Sequence, residues 1–381
     1  MRITLFLSRL SNGGAERQFV LLGENLAERG HEVSFVTLFP GGPHWDYSLK
    51  INRFAVIALY PENKKTSISL PFLIGGVRRF RQYLAKNPAD VVYSALVTGN
   101  FIAQAAVPRR SGPKLVCGLR NSIVEGTWKK RAIANFSKLL SPKIDLAISN
   151  SQAGLDFHRK KGFRFQKSLL IPNGIDVNKF RPDNELRHQT RSALGFSKID
   201  FVVTSVARLV QMKDHPTLMR AFQIAAQNEP RLRLFLVGNG SPQYTETLYA
   251  LVKQLGIADK TVWWHDCEEP EKAYNASDLF CSSSCRGEGL SNSVAEALAC
   301  NLSVIVTDVG DHRKLVGQYG QVIPPKDPKM LALAIEKSLN ASPNEKPKTT
   351  SRGHIKKYYS IESMVQSTIN AFHDILEKPH S

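Results

Sequence analysis

The chain has no apolar run approaching the length needed to cross a bilayer, which argues against an integral membrane protein. Its first apolar run, residues 3–7, is too short for a signal-peptide core and reads as an opening β-strand. Cysteine is scarce: five residues at irregular spacing, with no C-x-x-C pair, indicate reduced thiols in a cytoplasmic protein. Cys281 and Cys285 have no His or Cys partner at zinc spacing, so no metal site is expected there. The opening strand–loop–helix lacks G-x-G-x-x-G, which weighs against a dinucleotide cofactor, and no repeat of solenoid period is present. Acidic residues are sparse in one half only. Residues 1–175 carry 26 Lys plus Arg against 10 Asp plus Glu, whereas residues 176–381 carry 25 against 23, so nearly all of the net charge of +18 lies in the first half. Its clusters are Arg78, Arg79 and Arg81; Arg109 and Arg110; Lys129, Lys130 and Arg131; and Arg159, Lys160 and Lys161. One strongly positive lobe points to nucleic acid, an anionic membrane surface or an acidic substrate as partner, and at a membrane surface Phe80 within its arginine cluster and Trp128 beside Lys129 would add apolar insertion. The basic runs have no interleaved aromatic platform or recognisable binding motif, which argues against nucleic acid.

At 381 residues, two domains are the natural expectation. The most informative stretch is 286–311, RGEGLSNSVAEALACNLSVIVTDVGD. It follows the apolar Leu279, Phe280 and Cys281, which read as the end of a buried strand. Gly287 and Gly289 give a loop of little bulk, so backbone N–H groups can approach a ligand. Ser291 and Asn292 are helix N-cap types, and Val294, Ala295, Leu298 and Ala299 follow at helical spacing, with the next strand at 303–306. A helix N-terminus aimed at such a loop suits a phosphate. Glu288 in the loop and Glu296 in the helix frame it, and carboxylates beside a phosphate site suit sugar hydroxyls. Taken singly, each glutamate also reads as an ordinary solvated side chain.

Other strands are expected at 2–6, 33–38, 91–94, 114–118, 146–149, 201–206, 232–237, 261–264, 276–280 and 304–307, with helices between them, among them 15–29 and 216–228. Gly13 and Gly14 let the chain turn tightly into the first helix. Leu170, Ile171, Pro172, Asn173 and Gly174 run from a strand into a turn. Arg208 and Lys213 share a short loop at a strand's C-terminal end, where ligands bind in such sheets and where two cations can neutralise a diphosphate. Gly238-Asn239-Gly240 follows the next strand as another glycine turn. Residues 342–351 read as an exposed connection, and a last helix is expected over 361–376.

E-G-L-S-N-S-V-A-E-A-L-A-C, from Glu288 to Cys300, resembles the E-x7-E signature of the family 4 retaining glycosyltransferases. G-G-A-E-R at 13–17, P-N-G-I-D at 172–176 and R-x4-K at Arg208 and Lys213 are similar to that family's glycine loop, hinge turn and phosphate loop, in the same order. The chain departs from the family at Asn301 and Ser303, where G-x-P is usual, and at Arg120–Asn121, where many relatives have a histidine contacting the transferred sugar; Arg120 there suits either an acidic group of a ligand or only a nearby carboxylate of the chain. The resemblance implies an α/β fold of two Rossmann-like domains facing across a cleft, the GT-B architecture. Residues 1–175 would form the acceptor-side domain, residues 176–360 the nucleotide-sugar domain, and a helix at 361–377 would cross back to the first. It implies Glu288 on the transferred sugar, Glu296 on the donor ribose, and Arg208 and Lys213 on the diphosphate. Gly14, Gly289, Leu290 and Ser291 would also bind the donor, and Gly13, Arg120, Asn121 and Asn173 would lie on the acceptor side. The absence of any D-x-D fits a metal-independent enzyme without a cofactor. Its partners would be a nucleotide-sugar donor, a glycan or lipid-linked acceptor and an anionic membrane surface met by the basic half. It would work in the cytoplasm, peripherally on the inner face of the membrane. A nucleotide-sugar epimerase on the same fold is the enzymatic alternative. A basic nucleic-acid-binding protein and a binding protein with a dead donor site are the non-enzymatic ones.

Overall fold

A computed structural model describes residues 1–10, 13–40, 53–61, 69–108, 112–120, 128–340 and 350–377, with backbone alone at 128–130. Arg109, Arg110, Asn121, the side chains of Trp128, Lys129 and Lys130, and the connection at 342–349 lie outside the described residues. The chain divides into two compact units, Met1–Gly174 with Ile361–Ser381, and Ile175–Ser360.

In the first unit the chain runs β1 (Arg2–Leu7), α1 (Gly14–Glu28), β2 (Glu32–Thr37), β3 (Val56–Ala58), α2 (Leu70–Lys86), β4 (Val91–Ala95), α3 (Val97–Ala106), β5 (Lys114–Leu119), α4 (Trp128–Leu140), β6 (Leu146–Ser149), α5 (Gln152–Lys160) and β7 (Lys167–Leu170). These strands form one parallel sheet in the order β3-β2-β1-β4-β5-β6-β7. Strands such as Val91–Ala95 and Lys114–Leu119 are buried along their whole length, as a sheet covered on both faces requires. Phe80, expected within an exposed basic cluster, is fully buried and stacks on Phe6 with ring centroids 4.0 Å apart. The helical period turns it inward while Arg78, Arg79 and Arg81 stay exposed, which corrects its reading as a surface aromatic.

The second unit runs α6 (Asn184–Ala193), β8 (Phe201–Val206), α7 (His215–Ala226), β9 (Leu232–Val237), α8 (Pro242–Gln254), β10 (Thr261–Trp264), α9 (Pro270–Ala276), β11 (Leu279–Ser282), α10 (Asn292–Ala299), β12 (Ser303–Thr307), α11 (His312–Val316), β13 (Gly320–Ile323), α12 (Pro328–Leu339) and α13 (Ser351–Tyr358). Its parallel sheet has the order β10-β9-β8-β11-β12-β13. The strand expected at 276–280 begins only at Leu279, because Ala273–Ala276 is the apolar inner end of α9 and not of a strand. The last helix, α14 (Ile361–Leu376), packs within the first unit. Met364, Val365, Ile369, Phe372 and Ile375 join Phe19 and Tyr93 in one core, with Phe372 meeting Tyr93 edge-on.

Each sheet reverses its strand order once, between β1 and β4 and between β8 and β11. Crevices beyond the C-terminal ends of strands at such reversals are where open α/β sheets bind ligands. The loops after β8 and β11 carry Arg208–Lys213 and Arg286–Ser291, so the strand order alone brings those two segments side by side.

Candidate functional site

In the second unit, hydrogen bonds to backbone carbonyls hold the two loops together. The Ser283 hydroxyl donates to the carbonyls of Lys213 and Asp214 at 2.9 and 3.0 Å, and the Cys285 N–H donates to the Met212 carbonyl at 2.9 Å. A third loop closes on them from the β9 side. Gly238, at φ +131°, lies so near Ala207 that a β-carbon there would stand 2.1 Å from its carbonyl oxygen. The glycine turn at 238–240 is therefore needed for loop-to-loop packing, whatever else it contacts. On the other side Gly310, at φ +60°, packs against the backbone of Glu288, where a β-carbon would come within 2.4 Å of its carbonyl oxygen.

This scaffold fixes an ion pair. The Lys213 ammonium donates to Glu288 Oε1 at 2.5 Å, and the Ser284 hydroxyl donates to the same oxygen at 2.6 Å. Glu288 is 7% exposed, so it is not a solvated surface carboxylate. Burial pushes its pKa upward, but the charges of Lys213 and then His312, with the hydrogen bonds from Lys213 and Ser284, hold it below the ordinary carboxylate value. His312 is fully buried; its Nδ1 donates to the Thr307 carbonyl at 2.9 Å, and its Nε2 has no partner among the described residues. Burial lowers its pKa, and the Glu288 charge opposes that.

Helix α10 begins beside this pair. Ser291 occupies the N-cap, yet its side chain makes no capping bond to the helix and pairs with the Ser293 hydroxyl at 3.2 Å. The N-cap expectation holds for position but not for the side chain's bond. The first-turn amides are thus not satisfied by that side chain, which suits them to an anion. One turn into the helix lies Glu296, 9% exposed, whose Oε2 accepts from the Tyr274 hydroxyl at 2.7 Å. Burial, then the neighbouring Glu296 charge, raises the Tyr274 pKa well above its usual value, so that phenol remains a donor. Arg208 is exposed and none of its side-chain atoms bonds any described residue. The structure therefore joins Lys213 to Glu288 and lines Gly289, Leu290 and Ser291 along the approach to α10, but engages Arg208 with none of them.

In the first unit, Gly13 is the N-cap of α1 and Gly14 its first residue. The Glu16 carboxylate lies over Gly13, where a β-carbon would stand 2.3 Å from Oε2. Gln18 makes two hydrogen bonds to the backbone of Gly174, at 2.8 and 2.9 Å. Arg120 and Asn173 come together: one guanidinium nitrogen donates to Asn173 Oδ1 at 2.7 Å and another to the Tyr93 hydroxyl at 2.9 Å. Sequence reasoning missed Ser284, His312, Tyr274 and Tyr93. Ser284 and His312 follow strands β11 and β12 at their C-terminal ends, a position that could have marked them. Tyr274 and Tyr93 carry no such signal. Among the described residues no group of three or more His, Cys, Asp or Glu side chains could hold a metal ion.

Residues 12–179 match Glycosyltransferase Family 4, and residues 187–356 match Glycosyl transferases group 1. Phosphatidyl-myo-inositol mannosyltransferase from Mycobacterium tuberculosis is 24% identical over 341 residues, 86% of this chain and 83% of that protein. Mannosylfructose-phosphate synthase from Agrobacterium fabrum is 27% identical over 368 residues, 87% of this chain and 79% of that protein. Among solved structures, the Anabaena protein Alr3699/HepE in complex with UDP and glucose superposes with a TM-score of 0.81 at 19% identity, covering 97% of this chain and 99% of that one. At that identity the likeness is one of fold.

Proposed function

We propose that this chain, which belongs to the family 4 glycosyltransferases, is a retaining, metal-independent enzyme of surface polysaccharide or glycoconjugate synthesis. It transfers a hexosyl group from a nucleotide sugar to a glycan or lipid-linked acceptor. The observation that carries this reading is the Lys213–Glu288 pair at the strand reversal of the second unit, beside a helix N-terminus that its own N-cap side chain leaves uncapped. A diphosphate at those amides draws Lys213 and Arg208 onto its oxygens, where their charge stabilises the leaving group. Glu288 then addresses the sugar, and Glu296, oriented by Tyr274, addresses the ribose. The acceptor attacks from the face the diphosphate leaves, and a phosphate oxygen takes its proton. The fold shared with a UDP-bound protein supports a nucleotide-sugar donor.

The test is incubation with UDP-, GDP- and ADP-sugars, with and without a glycolipid acceptor fraction, followed by NMR of the products. Acceptor-dependent transfer with the anomeric configuration kept is expected. Interconversion of free nucleotide sugars without acceptor would instead identify an epimerase.

The basic first unit would dock this enzyme on the cytoplasmic face of an anionic membrane, where a lipid-linked acceptor is presented. No helix among the described residues is long and apolar enough to cross a membrane. However, α4, which carries Arg131 in its first turn, exposes Phe136 and Leu139, at 60% and 71%, and α2 exposes Leu70 and Ile74, two turns and one turn before Arg78. Apolar residues on basic helices suit an interfacial contact, and each basic residue near an anionic surface contributes about 1 kcal/mol. Co-sedimentation should appear with anionic vesicles, fade as salt rises, and fall when Lys129, Lys130 and Arg131 are neutralised. No sedimentation at low salt would leave a soluble acceptor as the better reading.

A further inference from the structure

Arg120 stands at the C-terminal end of β5, where many relatives have histidine, and its surroundings are unusual for a half-buried cation. Its two hydrogen-bonding partners, Asn173 and Tyr93, are both neutral. Its guanidinium carbon sits 5.6 Å from the Phe19 ring centroid, so an aromatic face shields one side. Among the described residues, the buried Nε has no partner and no carboxylate pairs with the group. Arginine has five N–H donors and these bonds use two. A guanidinium withdrawn from water normally keeps a carboxylate or phosphate in its fork, because neutral acceptors do not offset the lost hydration of the charge. The Tyr93 hydroxyl, which accepts from Arg120, keeps its own proton, and burial raises its pKa.

Two further observations set this cation at the end of the sheet where a ligand would bind. It lies at the strand ends that also carry the Gly13–Gly14 loop and Asn173, the end at which such sheets bind ligands. Leu96, at the end of β4, holds φ +65°, a left-handed conformation that a leucine adopts only under constraint, and it lines a cavity of about 30 Å³ together with Arg120. The surrounding half of the chain also carries the excess of 26 basic over 10 acidic residues.

We infer that Arg120 receives an oxyanion, phosphate or carboxylate, carried by the acceptor, so that the enzyme selects acidic acceptors over neutral ones. This rests on the glycosyltransferase reading with the acceptor in the first unit. The guanidinium fork takes two oxygens of the anion, Tyr93 and Asn173 hold the fork in place, and Phe19 fixes its plane. Arg120 is a specificity determinant here, with no part in breaking the sugar–phosphate bond.

The experiment titrates the full chain, saturated with whichever of UDP, GDP and ADP raises its thermal midpoint, against glucose, glucose 6-phosphate and glucuronate, and against inositol and the soluble headgroup glycerophosphoinositol. At least one acidic probe should bind tenfold or more tightly than its neutral counterpart. Arg120→Gln should abolish the preference, and Arg120→Lys should keep part of it, because an ammonium retains the charge without the fork. In both variants the rise in thermal midpoint caused by that nucleotide should be unchanged, which shows that the second unit remains intact. Preference for glucose 6-phosphate or glucuronate assigns a soluble acidic acceptor, and preference for glycerophosphoinositol alone assigns a lipid headgroup. Equal binding of acidic and neutral probes, or a preference that survives in Arg120→Gln, would overturn the inference while leaving the donor site standing. Failure of UDP, GDP and ADP alike to raise the midpoint of the unaltered chain would instead overturn the glycosyltransferase reading, and this inference with it.

Discussion

Arg208→Ala should lower turnover by roughly 10²–10³-fold, about 2.7–4 kcal/mol of barrier, with no measurable change in thermal midpoint. Arg208 is exposed and bonds no described side chain, so its removal leaves no group stranded in the free protein. Its whole effect should fall on the step in which the diphosphate gains charge. Lys213→Ala should reduce turnover to a similar degree but through a second route as well. The Lys213 and Glu288 side chains are 17% and 8% exposed, and removing the ammonium leaves a buried carboxylate without its counter-charge. Breaking a buried pair by deleting one partner costs about 3–5 kcal/mol of stability. Were both cations without a protein partner, each substitution would affect turnover far more than folding. The ion pair restricts that to Arg208. Steady-state rates and thermal melts of Arg208→Ala, Lys213→Ala and the double variant Lys213→Ala with Glu288→Gln separate the two routes, because the double variant removes the stranded charge. Unchanged turnover in Arg208→Ala and in Lys213→Ala would refute the diphosphate assignment.

The two glutamates should respond differently to the same chemical change. Glu288→Gln should lower kcat by roughly 10²-fold and leave nucleotide affinity nearly unaltered, because Glu288 addresses the sugar as its bond to phosphate breaks. Glu296→Gln should weaken UDP binding by roughly ten- to a hundredfold, the worth of a hydrogen bond to a charged group. Its effect on kcat should be small, since a ribose contact exists equally in the ground and transition states. Tyr274 strengthens the contrast by holding Glu296 in one orientation through the 2.7 Å bond from its hydroxyl. Calorimetric titration of UDP beside saturation kinetics reads both quantities. The assignment fails if Glu296→Gln binds UDP normally, or if Glu288→Gln loses affinity and keeps its rate.

The parts of this site that were legible in the sequence are local. Glu288, Gly289, Ser291 and Glu296 belong to one loop and one helix, and Arg208 and Lys213 to one loop, so spacing along the chain carries their relation. The strands that position them have continuous apolar runs, and most of their bounds fall within a residue or two of expectation; the strand read at 276–280 shows the limit, since alanines at a helix end resemble a strand's apolar start. What remained hidden depends on contacts distant in sequence. Lys213 meets Glu288 across 75 positions and Tyr274 meets Glu296 across 22. Nothing local marks His312 as buried beside a carboxylate. Phe80 illustrates the same point from the surface: three arginines around it suggested exposure, while the helical period and the Phe6 ring decide its burial. At Arg120 the departure from the family was visible, but the neutrality of both partners was not.

A structure of the chain with UDP bound tests the central claim most directly. The account predicts phosphate oxygens at the first-turn amides of α10, Arg208 and Lys213 turned onto them with the Lys213–Glu288 bond lengthened or broken, and the ribose hydroxyls within hydrogen-bond distance of Glu296. UDP bound elsewhere, or a ribose distant from Glu296 with Lys213 still held on Glu288, would contradict it.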